Sequence, residues 1–357
     1  MRFKNKLIEH LKISYPIIQG PMSGASPPAL VAAVSNAGGL GSLGAAQMTP
    51  AQMRNAIKEI RALTEKPFAV NLFVPDEIVP IAEERLNHAN KVLNPLRCML
   101  GIPESPEFTS PSLSFTEQLE VIFEEKIPIF SFTFGIMPPD IIHKLKNNNT
   151  IVMGTATTCQ EAKRLESAGV DFVIAQGSES GGHRGSAADT PIENALIGSM
   201  ALIPQIVDQV KIPVIAAGGI MDGRGIVAAL ALGASAVQMG TAFLTCPEAG
   251  IHAKYREALL NANDESTCIT RAFTGRYARG IKNYFITAMI KHQADILPHP
   301  LQRTLTRDIV AAAKQQNNPE FMMLWSGQAA SLCRTKSASV LVAELMVEVK
   351  KILNAII

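Results

Sequence analysis

The sequence predicts an α/β protein built on a closed (β/α)8 (TIM) barrel, and three observations point there. Eight short apolar runs lie along the chain, separated by helical stretches at intervals of roughly 25 to 30 residues, the rhythm of repeated strand–helix units. No Gly-x-Gly-x-x-Gly with a following acidic residue comes after the first run, which argues against an open dinucleotide-binding sheet. Glycine-rich turns follow the last two runs, where barrels of this class bind phosphate groups.

Taken in order, strands are expected at 16–19, 40–43, 68–73, 129–132, 151–154, 171–175, 214–217 and 236–239. The helix at 51–63 follows Thr49 as cap and carries Met53, Ala56, Ile57 and Ile60 on one face. A second, at 158–168, begins at Thr158 and ends at Gly169; a third, at 225–232, precedes Gly233. Two intervals exceed a plain connection. About 55 residues separate the third and fourth strands, roughly twice what one crossover helix needs; the proline-rich stretch 74–111 lies there, with a helix expected around 81–92. After the eighth strand more than 110 residues remain, with helices expected at 252–262, 280–292, 301–315 and 337–357. The first of these is expected to complete the barrel. Residues 75–111 and 251–357 are accordingly expected to form a smaller, mostly helical cap domain over one mouth of a barrel made by 1–74 and 112–250, part of the C-terminal region completing the barrel. The single tryptophan, Trp325, either reaches the site from that cap or anchors it internally.

Composition sets limits on function. With 47% apolar residues, 18% charged residues and a formal net charge of +2, the chain reads as a soluble globular protein without electrostatic pull toward nucleic acid or an anionic membrane. Cys98, Cys159, Cys246, Cys268 and Cys333 form no Cys-x-x-Cys pair, consistent with free thiols in a reducing compartment and with neither disulfide framework nor zinc site. Glu9, His10 and Lys12 interrupt any signal-like N-terminus, and no segment reaches 18 uninterrupted apolar residues, so a cytoplasmic location is expected. The amphipathic stretch 337–357 serves either the barrel surface or a subunit interface, leaving monomer and homodimer open.

The loop 176–185, QGSESGGHRG, places His183 among glycines directly after the sixth strand. Glycines let backbone approach a flat ligand, and a histidine there exchanges protons near neutral pH. The alternative is a mobile surface loop whose histidine bonds to water. Strand seven ends in Ala217-Gly218-Gly219-Ile220 and continues through Asp222-Gly223-Arg224-Gly225; strand eight ends in Val237-Gln238-Met239-Gly240-Thr241. Consecutive glycines expose N–H groups, a following helix N-terminus adds partial positive charge, and Thr241 offers a hydroxyl, a lysine-free cradle for phosphate. Each turn alone is also explained by the tightness of barrel connections; both together point to a phosphate-bearing ligand.

On these segments, with IIQGPMSG (17–24), VNLF (70–73), AAGGIMDGRG (216–225) and GASAVQMGTAFL (233–244), the chain resembles the flavin-dependent class I nitronate monooxygenases, formerly 2-nitropropane dioxygenases. The resemblance spans nearly the whole chain. It implies non-covalent FMN, with Pro21 and Met22 along the isoalloxazine, Asn71 and Gln176 near the flavin and its ribityl chain, and Gly181 allowing close approach. Gly218, Gly219 and Ile220 would surround the phosphate together with Gln238, Met239, Gly240 and Thr241. It further implies that His183 faces substrate, binding the nitronate and acting as base for neutral nitroalkanes, with Ser180 as a second donor. Thr133, after strand four, contacts ligand or satisfies a turn. The implied reaction oxidises alkyl nitronates such as propionate 3-nitronate with O2 to carbonyl compounds and nitrite through a flavin semiquinone, a detoxification that needs no metal.

Glu179 either tunes His183 or is a solvated carboxylate, and Arg184 and Arg224 either neutralise charge at the mouth or brace loops. His88 and His143 fall on helix surfaces; His292 and His299, in the expected cap, are placed to touch substrate. The rival reading is an NAD(P)H-dependent FMN reductase of enoyl-acyl-carrier-protein or quinone reductase type, which shares the histidine loop and both phosphate turns. Gly20-Pro21-Met22, the run 179–185 and the long third insertion favour the monooxygenase. A flavin-binding redox sensor without turnover is the non-enzymatic alternative.

Overall fold

The computed structural model describes residues 5–75, 80–106 and 113–356. Its strands are β1 (Ile17–Gln19), β2 (Gly41–Gly44), β3 (Phe68–Phe73), β4 (Ile129–Thr133), β5 (Ile151–Ala156), β6 (Phe172–Gln176), β7 (Gly182–His183), β8 (Val214–Ala217), β9 (Ala236–Met239), β10 (Thr267–Thr270) and β11 (Ala278–Ile281). All but β7, β10 and β11 form one sheet in the order β1-β9-β8-β6-β5-β4-β3-β2, every pairing parallel. Its two ends meet where Ile18 bridges Leu40, with Gln19 N donating to Leu40 O at 2.8 Å and Ser42 N donating to Gln19 Oε1 at 3.0 Å. This is the expected (β/α)8 barrel, its eight strands in the expected places; β4, β5 and β6 end slightly later than expected.

Side chains alternate across each strand. One parity (Ile17, Val70, Phe130, Val152, Val173, Val214, Val237) packs outward against the helices. The other fills the barrel, where Ile18, Leu40, Ala69, Ile129, Met153, Ile174, Ile215 and Ala236 form a separate cluster. Helix Lys6–Leu11, absent from the expected elements, closes one end: Leu7, Ile8 and Leu11 join that interior cluster, and Asn5 Nδ2 donates to Ser235 O at the foot of β9 at 2.7 Å. Two residues further along β3, β4, β5, β6 and β9 the same inward parity turns polar, with Asn71, Ser131, Thr155, Gln176 and Gln238. The interior is therefore sealed and apolar at the strand N-termini and polar at the C-termini, which confines a ligand to the latter.

The connecting helices begin where the capping residues dictate. Thr49 accepts from Gln52 N while the Gln52 side chain returns to Thr49 N, a complete capping box for Pro50–Leu63. Thr158 caps Cys159–Ala168, which ends at Gly169 with φ 96°. The expected helix 225–232 is Gly223–Ala231, capped by Asp222. After β9 the structure departs from expectation. Ala253–Leu260 buries only Leu259 of its own residues; it is the last helix, Ala338–Ile356, that lies on the barrel, packing against Gly223–Ala231 and Pro28–Asn36 through Leu341, Val342, Leu345 and Val349. The stretch expected as helix 280–292 instead starts in β11, which pairs antiparallel with β10 and with β7. The expected helix 301–315 is two, Leu301–Leu305 and Arg307–Gln315, broken at Thr306, whose hydroxyl donates to Phe273 O at 2.7 Å. Among the described residues no helix is long and apolar enough to cross a membrane.

Of the insertion, residues 76–79 and 107–112 lie outside the described residues, as does Ile357 at the end of the expected C-terminal helix. The rest forms helices Glu83–Val92 and Asn94–Met99. Leu93, Leu96 and Leu100 share a second apolar cluster with Phe273, Phe285, Leu297, Ile309 and Phe321 from beyond the barrel. Arg97, 0% exposed, ties the two stretches. Its Nε donates to Asp308 at 2.7 Å, Nη2 to Leu305 O at 2.9 Å, and Nη1 to Asn90 O, Asn90 Oδ1 and Asn94 Oδ1. Arg97→Met is expected to lower stability by about 3 kcal/mol, because Asp308 and several acceptors lose their partner together. Arg97→Lys is expected to recover little, an ammonium being unable to span the same fork. Urea denaturation of both variants checks this, and unchanged midpoints would show the network to be dispensable.

Candidate active site

A cavity of about 430 Å3 opens at the strand C-termini, within the range of small-molecule sites. The expected cofactor-binding residues line it together with His183, Ser180 and Thr133: Pro21 and Met22 after β1, Asn71 on β3, Thr133 on β4, Gln176 on β6, Ser180, Gly181 and His183 in the following loop, Gly218, Gly219 and Ile220 after β8, and Gln238, Met239, Gly240 and Thr241 at the end of β9. Glu179, Arg184, Arg224, His292 and His299 are not in its lining. Several lining residues went unforeseen. Thr155 follows from the inward parity of β5, but Tyr255, Arg303, Lys314, Met322 and Met323 arrive from the C-terminal region and carry no local signal. Among the described residues lining the cavity there is no Asp or Glu.

The turn after β8 requires glycine. Gly218 has φ 117° and Gly219 φ 69°, and a Cβ on Gly218 would lie 2.8 Å from Ser180 Oγ. Neither N–H donates to a described residue, and both residues line the cavity wall, where such groups can receive an anion. The expected aid from the next helix is absent: Asp222 already accepts from Arg224 N at 2.9 Å and Gly225 N at 3.3 Å, and Glu348 accepts from Gly223 N at 2.8 Å. Two carboxylates thus occupy the positive end of Gly223–Ala231. Arg224 is 71% exposed in its side chain, paired with Asp222 at 2.6 Å, and is not part of the cavity wall. On the opposite turn Thr241 Oγ1 accepts from Gly327 N at 3.0 Å, leaving its O–H free to donate. Gly181, on the cavity wall, also lets the chain approach itself, since a Cβ there would lie 2.5 Å from the backbone of Ser326 and Gly327.

The histidine loop is a braced structure, not a mobile surface loop. Gln176 Nε2 donates to His183 O at 3.1 Å and Gln176 Oε1 accepts from Gly185 N at 2.8 Å. Buried Arg184 donates to Gly177 O and Gln176 O, each at 2.7 Å, and to Ala195 O at 2.9 Å. It braces the loop; burial, with the charge of Arg279 beside it, brings its pKa down to about 10, so it remains a cation at neutral pH. Glu179 accepts from Ser199 N at 2.9 Å and Ser199 Oγ at 2.9 Å, which makes it a cap for helix Ser199–Gln209 and not a partner of His183.

His183 itself pairs with Ala278 of β11, and its Nε2 lies 3.0 Å from Thr274 Oγ1. Phe134 at 5.6 Å, Trp325 at 5.6 Å, Phe73 at 5.9 Å and His299 at 6.3 Å surround the ring. Burial, reinforced by His299, Arg303 and Arg276, holds its pKa well below the ordinary imidazole value. The side chain is neutral at physiological pH. Trp325 both lines the cavity and packs on Phe273 at 5.8 Å. His299 meets His183, whereas His292 and His88 share Asp295 at 3.0 and 3.2 Å and His143 is an exposed neighbour of Asn147. The guanidinium of Arg303 makes no hydrogen bond or ion pair with any described residue, and burial lowers its pKa.

A family model described as nitronate monooxygenase matches residues 4–348. A probable nitronate monooxygenase of Staphylococcus haemolyticus is 43% identical over 357 residues, covering 100% of each chain. Among solved structures, nitroalkane oxidase from Streptomyces ansochromogenes matches with a TM-score of 0.91 at 36% identity over 99% of this chain and 100% of that one. FabK from Thermotoga maritima matches with a TM-score of 0.77 at 32% identity, over 99% and 98%. The chain therefore belongs to the nitronate monooxygenase family of flavin-dependent oxidoreductases.

Proposed function

We propose that the protein oxidises alkyl nitronates, propionate 3-nitronate among them, with O2 to carbonyl compounds and nitrite on non-covalently bound FMN. The observation that carries this reading is the convergence, on one cavity without Asp or Glu among its described lining, of two glycine turns, a neutral His183 and the cation Arg303, unpaired among the described residues. The residues fit the cofactor. Gly218, Gly219 and Ile220 with Gly240 and Thr241 would hold its phosphate, Pro21 and Met22 would lie along the ring system, and Asn71, Gln176, Gln238 and Met239 would border it, with Gly181 holding the loop close. When bound, the flavin accepts electrons from the substrate and passes them to oxygen.

The chain's own part is to draw in an anion and position it. Arg303, desolvated and without a counter-ion among the described residues, attracts the nitronate; Ser180 and Thr133 offer hydroxyls at the wall, and the rings of Phe73, Phe134 and Trp325 exclude water around His183. Being neutral, His183 can accept a proton from a nitroalkane that arrives un-ionised. Residues 75–111 and the C-terminal region from 251 to the start of the last helix would act as the cap over this mouth. The likeness to FabK keeps an NAD(P)H-dependent reductase as a second reading. The two separate anaerobically: addition of a nitronate to the purified protein is expected to change the flavin spectrum while NADPH or NADH does not, and rapid bleaching by pyridine nucleotide alone would establish the reductase.

Gly218→Ala is expected to yield protein that folds but loses most bound flavin, because a Cβ meets Ser180 and the positive φ adds about 1–2 kcal/mol; the ratio of visible to ultraviolet absorbance reads it, and full occupancy would remove this turn from the phosphate site. His183→Asn is expected to retain flavin and lose roughly 10²-fold or more in kcat/KM with neutral nitroalkanes; unchanged kcat/KM would exclude His183 as the base. Because the imidazolium is disfavoured in the fold, the neutral base persists as pH falls through about 6.5 and is lost only at lower pH. The kcat/KM profile for a neutral nitroalkane should therefore show no His183 limb near that value, and a limb there that vanishes in His183→Asn would contradict the assignment.

A further inference from the structure

We propose that Thr274 fixes the tautomer of His183, keeping the ring proton on Nε2 and presenting the Nδ1 lone pair to the substrate. The inference rests on the nitronate reading above for its chemistry, though not for its geometry. Thr274 is 0% exposed and stands between β10 and β11. Its Oγ1 has three polar neighbours: His183 Nε2 at 3.0 Å, Arg276 O at 3.2 Å and Arg276 N at 3.4 Å. A hydroxyl has one hydrogen and two acceptor sites. Arg276 O can only accept and Arg276 N can only donate, so the hydrogen goes to the carbonyl and the lone pairs receive the amide N–H and Nε2–H. All three contacts are then made. Turning the hydroxyl toward His183 would surrender the bond to Arg276 O inside the protein, a loss of about 1–3 kcal/mol.

With Nε2 taken, Nδ1 is the nitrogen left for a ligand. It has no partner among the described residues, it is absent from the sealed, unpaired polar atoms of the interior, and its residue lines the cavity. The β7–β11 pairing fixes the backbone beneath the ring. Among the described residues, the charged and titratable groups acting on it are His299, Arg303 and Arg276, none of which is a carboxylate that would favour the opposite tautomer. The consequence is a division of labour. A neutral nitroalkane gives its α-proton to Nδ1, the C–H electron pair moves into the nitro group, and nitronate and imidazolium result. A preformed nitronate needs no such transfer and gains no hydrogen bond from an unprotonated Nδ1, so its binding falls to Arg303 and the hydroxyls.

The test is 15N NMR of the flavin-loaded protein labelled in histidine, with the His183 signals assigned by difference against His183→Asn. The expected wild-type spectrum has a protonated Nε2 and an unprotonated Nδ1. Thr274→Val should shift it toward a tautomer mixture, and Thr274→Ser should restore it. In parallel, Thr274→Val should lose about ten-fold or more in kcat/KM for a neutral nitroalkane but stay within about two-fold for its preformed nitronate, with the serine variant close to wild type. A protonated Nδ1 in the wild type, or a spectrum unmoved by Thr274→Val, overturns the proposal. Should the valine variant fail to fold, the wild-type and serine spectra still decide, since Nδ1–H in either refutes it. Absence of any turnover of nitro compounds with the expected spectrum would sink the functional reading and leave the tautomer assignment standing.

Discussion

The end of β6 is the point on which the site depends. A strand that stops inside a protein leaves carbonyls with no neighbouring strand to receive them, and here three in succession are met by buried guanidinium groups: Gln176 O and Gly177 O by Arg184, and Ser178 O by Arg279 at 2.9 Å. Burial lowers the pKa of both, and the charge of Arg279 adds to the effect at Arg184; their positive charge is dispersed into peptide dipoles, and neither makes an ion pair among the described residues. The guanidinium suits this because it carries several donors in a fixed plane and resists deprotonation. Without that brace the glycines of the loop would be held less firmly, by contacts such as the bonds of Gln176 to His183 O and Gly185 N and the pairing of β7 with β11.

From that anchor the loop can do two things at once. It turns into β7, whose pairing with β11 brings the C-terminal region over the cavity, and it lays Gly181 against Ser326 and Gly327, the latter bonded to Thr241 on the far wall. The barrel mouth and the region above it are thus joined by backbone contacts too tight to admit a side chain. His183 sits on that seam. Its neutrality follows from its neighbours: aromatic rings and cations crowd it, and the nearest carboxylate of its own loop, Glu179, is committed to Ser199.

Much of this was legible in the sequence, for physical reasons that also explain what was not. Strands of a parallel barrel are buried on both faces, so runs such as 214–217 stand out, and the inward parity carries polar residues only where a ligand can meet them. Each recognised site residue lies within a few positions of such a strand end. Thr274 and Arg303 do not. Thr274 meets His183 across 91 residues of sequence, and the strands that bring it there are short, β10 being only half-buried along most of its length, so neither hydrophobicity nor periodicity marks them. The expected role of helix 252–262 failed similarly, because amphipathic stretches compete for one docking surface and sequence order does not say which wins. Ala338–Ile356 wins by offering Leu341, Val342, Leu345 and Val349 along one face, where Ala253–Leu260 offers little.

Charge is distributed in the cavity by function. The two glycine turns, proposed above as the phosphate site, offer backbone N–H groups and a hydroxyl without any lysine or arginine, and the N-terminal N–H groups of Gly223–Ala231 are taken by Asp222 and Glu348. The arginine whose charge acts most strongly on His183 is Arg303, unpaired among the described residues. Holding a desolvated guanidinium without a counter-ion among the described residues is unfavourable. The cost is offset when an anion enters, and an uncharged ligand would leave it standing. On the proposed reading the protein thus binds its cofactor mainly by shape and dipoles and reserves full charge for the substrate, so that the same field which draws in a nitronate also keeps His183 unprotonated and ready to accept a proton.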